Sequence, residues 1–132
     1  MTARGKARKR ALDLLFESDQ RDVAIAEVLA SRPALDPDDY AVQLAGGVGA
    51  HLVELDAVIA QHARGWSLRR MPAVDRCILR LAVYELQHEP DVPDAVVVDE
   101  AVRLASELST DESPGFVNGV LGAIQRQPNA DG

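Results

Sequence analysis

A single cysteine, Cys77, means that no internal disulfide framework holds this chain together. It lies in an apolar stretch and reads as a small hydrophobe. No apolar run approaches the ~20 residues that a membrane-spanning helix needs. The basic first residues are not followed by the apolar segment of a secretion signal. Aromatic side chains are scarce, with two Phe, two Tyr and one Trp in 132 residues, too few for a broad base-stacking platform. No segment alternates apolar and polar residues with period two, so no half-buried strand is expected. No Ser/His/Asp or Cys/His arrangement suggests catalysis, and His51, His62 and His88 are too scattered in sequence to suggest a metal cluster. Gly46-Gly47-Val48-Gly49 lacks both the preceding strand and the Gly-Lys-Ser/Thr ending of a phosphate loop. These absences predict a cytoplasmic, non-enzymatic protein with no cofactor.

Acids are also missing from one place where cations crowd. The first ten residues hold Arg4, Lys6, Arg8, Lys9 and Arg10 and no Asp or Glu. The whole chain is acidic at −7, and the nine cations outside this cluster stand against 21 acids, or −12. A positive tip on a negative body offers a polyanion one place to bind and repels it elsewhere. This density of Arg and Lys suits phosphate contacts, and arginine-rich segments can order on RNA. A solvated charged end would carry the same composition.

Apolar residues make up 47% of the chain, enough for a folded core. Their spacing is helical throughout. A first helix is predicted from about Gly5 to Asp19, with Lys6, Lys9, Arg10 and Asp13 on its polar side. A short one follows over Val23 to Ala30, with Asp36, Asp38 and Asp39 as caps for the next. Ala41, Leu44, Val48, Leu52, Leu55 and Ile59 predict one long helix to about Ala63. Its glycines 46, 47 and 49 read as a close helix contact rather than a hinge. Pro72 opens a helix to about His88 that is apolar around most of its circumference, the pattern of a central element. Val96 to Leu108 is read as helix, and Pro114 begins a last one through Ile124. The expected fold is all-α with about six or seven helices, in halves of about 5–63 and 66–126, with a frayed tail over 127–132.

Two further groups stand out. Glycines 115, 119 and 122 share one face of the last helix, where each costs roughly 1 kcal/mol relative to Ala, so a close backbone neighbour is expected. Phe116 beside them reads either as a core aromatic or as a base-stacking group, and Asn118 as a base reader or a cap. Arg76, Arg80 and Tyr84 form the one polar stripe of the central helix. Its two like charges call for acids, with Asp75, Glu85, Asp99 and Glu100 as candidates. A salt-bridge network and a protein-docking surface both fit.

Four blocks carry a resemblance: Lys6 to Leu12 with Leu15-Phe16; Pro72 to Leu86; Asp91-Val92-Pro93 with Asp99 to Ala105; and Asp111 to Leu121. In combination they resemble the NusB family of transcription antitermination factors, over nearly the whole chain. The resemblance implies two small helical bundles forming one compact domain. It implies pairing with NusE, a small-subunit ribosomal protein, and binding to boxA of nascent RNA, chiefly in ribosomal RNA operons. NusA, NusG and RNA polymerase then join, and termination is suppressed. Carried onto this chain, RNA contacts fall on Lys6, Arg8, Lys9 and Arg10 and on Glu112, Ser113, Gly115 and Phe116, with Asn118 beside them. Asp75 matches an acidic position near the NusE contact, and Arg76, Arg80 and Tyr84 extend that expected partner surface. Gly115 stands where the family can carry lysine, which predicts weaker RNA binding without the partner. The alternative is a NusB-like docking module serving an RNA cytosine methyltransferase or another protein. Monomer and homodimer both stay open. In the RNA-binding reading the cationic start and the Phe116 segment are expected to lie side by side as one groove for single-stranded RNA.

Overall fold

The computed structural model describes residues 2–126. They form α1 (Ala3–Arg21), α2 (Ile25–Ala30), α3 (Tyr40–Ala50), α4 (Leu52–His62), α5 (Ala73–His88), α6 (Asp94–Leu108) and α7 (Ser113–Arg126), with a 3₁₀ turn at Leu68–Arg70. Among the described residues there is no strand. The predicted frayed tail, 127–132, lies outside them.

Local chemistry sets the helix ends. Thr2 caps α1 by accepting from Gly5 N at 2.9 Å, and Asp22 closes it in the left-handed region at φ 54°. Asp39 accepts from Ala41 N at 2.8 Å and starts α3, as the sequence predicts.

Helix α5 is the axis of the molecule. It packs against α1, α3, α4, α6 and α7, and it buries Cys77, Ile78, Leu79, Leu81, Ala82 and Val83. Burial pushes the Cys77 thiol up to about 12, so it is an inert part of the core. At roughly 25 cal/mol per Å² of apolar area removed from water, burial of these side chains is a large share of what holds the helices around α5.

The single long helix expected over 41–63 is instead two. The chain bends by 76° between α3 and α4 at His51. Glycine-rich sequence lowers helix propensity before the bend, and His51 N donates back to Gly47 O and Val48 O, closing α3. The bend lets α3 pack on α1 while α4 packs on α5 and α7. One helical spacing thus serves two directions. The close-contact reading of the glycines holds at two of them. A Cβ on Gly47 would lie 2.3 Å from the Tyr84 ring, and one on Gly49 3.2 Å from Ile25. No single helix among the described residues is long and apolar enough to cross a membrane.

Candidate nucleic-acid interface

Three charged contacts fix the interface from beneath. Arg8 is buried, and its Nε donates to both carboxylate oxygens of Glu85 on α5 at 2.8 and 3.0 Å. Burial pushes the Glu85 carboxyl up, and the Arg8 contact only partly opposes this. Near the other end of α1, Asp19 accepts from Arg76 at 2.7 and 3.0 Å. Burial works against the Asp19 charge, but Arg76 and Arg80 outweigh it and hold its pKa below the ordinary carboxylate value. These two pairs show that α1 runs antiparallel to α5. At the start of α5, buried Asp75 accepts from Ser113 Oγ at 2.9 Å and from Ser109 Oγ. This ties the end of α6 and the start of α7 to the start of α5.

The cationic start of α1 therefore sits by the end of α5, and the Phe116 segment by its beginning. Glu85 and Asp75 are ten residues apart, about 15 Å along the axis at 1.5 Å per residue. The expectation that the two regions adjoin is corrected: α5 holds them apart, near its opposite ends. At about 3.4 Å per phosphate in a stacked strand, four or five nucleotides cover that distance.

At the first region Lys6 and Arg10 are exposed and Lys9 is half-buried. Arg10 reaches Asp39 at 3.2 Å, and Arg4 lies over the Tyr40 ring at 5.3 Å. Lys6 and Lys9 make no ion pair with any described residue. Arg8 is the exception among the proposed phosphate contacts. Its helical position turns it inward to Glu85, so it anchors the helix instead of meeting solvent.

At the second region Phe116 is half-buried and meets Trp66 edge-on, ring centroids 6.0 Å apart at 63°. Trp66 is 51% exposed. The two rings make a ridge between two grooves. One, of about 570 Å³, runs past Arg70, Met71, Thr110 and Glu112. The other, of about 700 Å³, runs past Arg64, Gly115, Gly119 and Arg126. Glu112, Gly115 and Asn118 are exposed, while Ser113 is buried in its Asp75 bond and is structural. The close neighbour expected along the glycine face is absent within the described chain. A Cβ on Gly115 or Gly119 would meet open space, and one on Gly122 only Arg126.

The expected partner surface is also corrected. Arg76 is spent on Asp19 and on the carbonyls of Leu68 and Met71, and Arg80 on Asp56 at 2.7 and 2.9 Å. Their acids, Asp19 and Asp56, come from α1 and α4, not from the candidates Asp75, Glu85, Asp99 and Glu100, so the salt-bridge reading of the stripe holds with other partners. Tyr84 packs over Gly47, and Asp75 is buried. These four residues hold helices together.

Sequence reasoning missed Trp66, Arg64, Arg70 and Arg126. A signal was present: residues 57–74 contain no acid and hold Arg64, Arg69, Arg70 and the sole Trp. In a chain this acidic, that is a second positive segment.

The fold and these two cationic surfaces define an all-helical protein of the polyanion-binding kind, organised around one buried helix. The NusB family model matches residues 5–126, and the chain belongs to the NusB family. It is similar to the transcription antitermination protein NusB of Beutenbergia cavernae, 52% identical over 96% of this chain and 91% of that one. The protein of the same name in Acidothermus cellulolyticus is 57% identical over 95% of this chain and 88% of the relative. Among solved structures, one of antitermination factors NusB and NusE in complex with dsRNA superposes with a TM-score of 0.77. It is 31% identical and covers 94% of this chain and 96% of that one.

Proposed function

We propose that this protein is a transcription antitermination factor that binds RNA together with a NusE-type ribosomal protein. The observation that carries the reading is the set of cations at the start of α1, held outward on an acidic protein by the buried Arg8–Glu85 pair. Arg4, Lys6, Lys9 and Arg10 supply phosphate contacts, which give affinity without sequence information. Phe116 and Trp66 supply faces for unstacked bases, with Arg64, Arg70 and Arg126 around them. Glu112 lines one groove with its carboxylate exposed for base edges, while exposed Asn118 lies on another side of α7. The relative solved with NusE and double-stranded RNA supports this assignment of partners. The target is boxA in nascent ribosomal RNA, and NusA, NusG and RNA polymerase complete the assembly. The acidic remainder limits indiscriminate RNA binding and suits a basic ribosomal protein.

The test is a boxA titration with and without NusE at several salt concentrations. NusE should tighten binding, and log affinity should fall with log salt at a slope near −0.7 per phosphate neutralised on a single strand. With about four phosphates held, that is a slope near −3. No salt dependence, or stable association with an RNA cytosine methyltransferase and none with NusE, would overturn it.

A further inference from the structure

Two histidines that the sequence scatters meet where α3 bends into α4. His51 and His88 stack with ring centroids 4.2 Å apart, and Tyr84 stacks with His88 at 5.0 Å. Glu54, in the first turn of α4, places Oε2 3.5 Å from His51 Nδ1. One ligand atom from each of His51, Glu54 and His88 lies within 4.8 Å of the other two. His51 Nδ1 is buried and has no hydrogen-bond partner in the described structure, although buried polar atoms normally have one. We propose that His51, Glu54 and His88 form a binding site for a divalent transition-metal ion, with zinc as the best match.

The donor set fits that ion. Two imidazole nitrogens and one carboxylate oxygen are borderline ligands that zinc accepts at about 2.0–2.2 Å, commonly as three protein ligands with a fourth position for water. Tetrahedral donors at that radius are about 3.3 Å apart, so the side chains close in by up to about 1.5 Å and one of the stacked rings turns until both imidazole planes meet at the ion. Magnesium and calcium prefer all-oxygen shells and are disfavoured. His88 lies in the last turn of α5, where the helix dipole favours a cation, and Glu89 adds a carboxylate nearby. A bound ion would join the α3–α4 bend to the end of α5, close to the Arg8–Glu85 anchor. Folded chain would bind it and unfolded chain would not, so loading should stabilise the fold. Affinity should weaken in acid, because imidazole binds metal only when neutral.

The experiment uses the full chain without a histidine tag and zinc chloride as the probe. Equilibrium dialysis should find one zinc per chain. The melting midpoint should rise by on the order of 5–10 °C at a hundredfold excess over Kd. His88→Gln and Glu54→Gln should each weaken uptake at least about tenfold and remove the shift, while His62→Gln leaves both unaltered. The proposal is overturned if wild-type protein shows no saturable uptake. It is equally overturned if His88→Gln binds as wild type does, or if His62→Gln loses as much as His88→Gln.

Discussion

The start of α1 and the Trp66–Phe116 ridge are both positive surfaces on an acidic protein, yet they differ in what they offer a polyanion. The first presents Lys6 and Lys9 unpaired on a regular helix, with Arg4 over the Tyr40 ring and Arg10 against Asp39 beside them. The second presents two rings flanked by grooves, with arginines at the rims. A phosphate needs only charge, whereas a base needs a flat apolar face and space to lie in. On the proposed reading, affinity comes from one end of α5 and discrimination among bases from the other. The two surfaces work on one strand only if their separation is fixed.

The comparison breaks hardest at its anchor. Glu85→Ala leaves the buried Arg8 guanidinium without its partner, a loss of about 3–5 kcal/mol in comparable cases. The thermal midpoint should fall by roughly 10 °C or more, and amide exchange should rise in the first turns of α1 before the α6–α7 region. A melt unchanged in Glu85→Ala would show that the pair contributes nothing and that α1 is held by its apolar face alone.

Substitutions at the two surfaces separate their roles. Trp66→Ala and Phe116→Ala should each weaken RNA binding by about 1–3 kcal/mol, with the salt slope intact. Lys6→Ala with Lys9→Ala should lower the slope by about 1.4 and weaken all sequences alike. If the lysine pair changed sequence preference, or the aromatic variants changed only the slope, the division of labour would be wrong. Phe116→Ala also decides its own assignment. A melt that collapses with RNA affinity unaltered would make it a core residue.

The helices were legible because apolar spacing records which face is buried, and α5 could be recognised as central from its all-round apolar surface. The break at His51 was not, because α3 and α4 keep one periodicity across the bend and only the directions of burial differ. Charge was legible as composition but not as geometry. Nothing local distinguishes Arg8, turned into the core toward Glu85, from Lys9 beside it. The ion-pair network around Arg76 and Arg80 was legible from two like charges on one stripe, but its acids, Asp19 on α1 and Asp56 on α4, were not, because nothing in the spacing says which helices pack on that stripe. The ridge was half legible. Phe116 stood out, while Trp66 did not, because its ring partner is fifty residues away.

Acid should loosen the ridge side through the second anchor. The Asp19 carboxyl lies below its ordinary value in the fold. Its contribution is therefore fully present above the unfolded value near 3.8 and is lost as pH falls through the lower folded value. Arg76 also holds the carbonyls of Leu68 and Met71, so protonating Asp19 should release the loop that carries Trp66. Asp19→Asn should flatten the acid limb of stability against pH below about pH 4 and raise Trp66 fluorescence mobility at neutral pH. An acid limb identical to wild type would assign that limb to other carboxylates.

The smallest change gives the sharpest reading of the grooves. Gly119 sits mid-helix in α7 with open space where a Cβ would go. In a free chain Gly119→Ala should therefore stabilise the fold, by up to about 1 kcal/mol, because alanine has the better helix propensity and meets no neighbour. The cost of keeping glycine there then has to be offset outside the folded chain. If the groove beside Phe116 takes part of the RNA, the added methyl should weaken boxA binding while the melting midpoint rises. A variant that is more stable and binds RNA as wild type does would remove this groove from the interface, leaving the discrimination to the Arg70 side of the ridge.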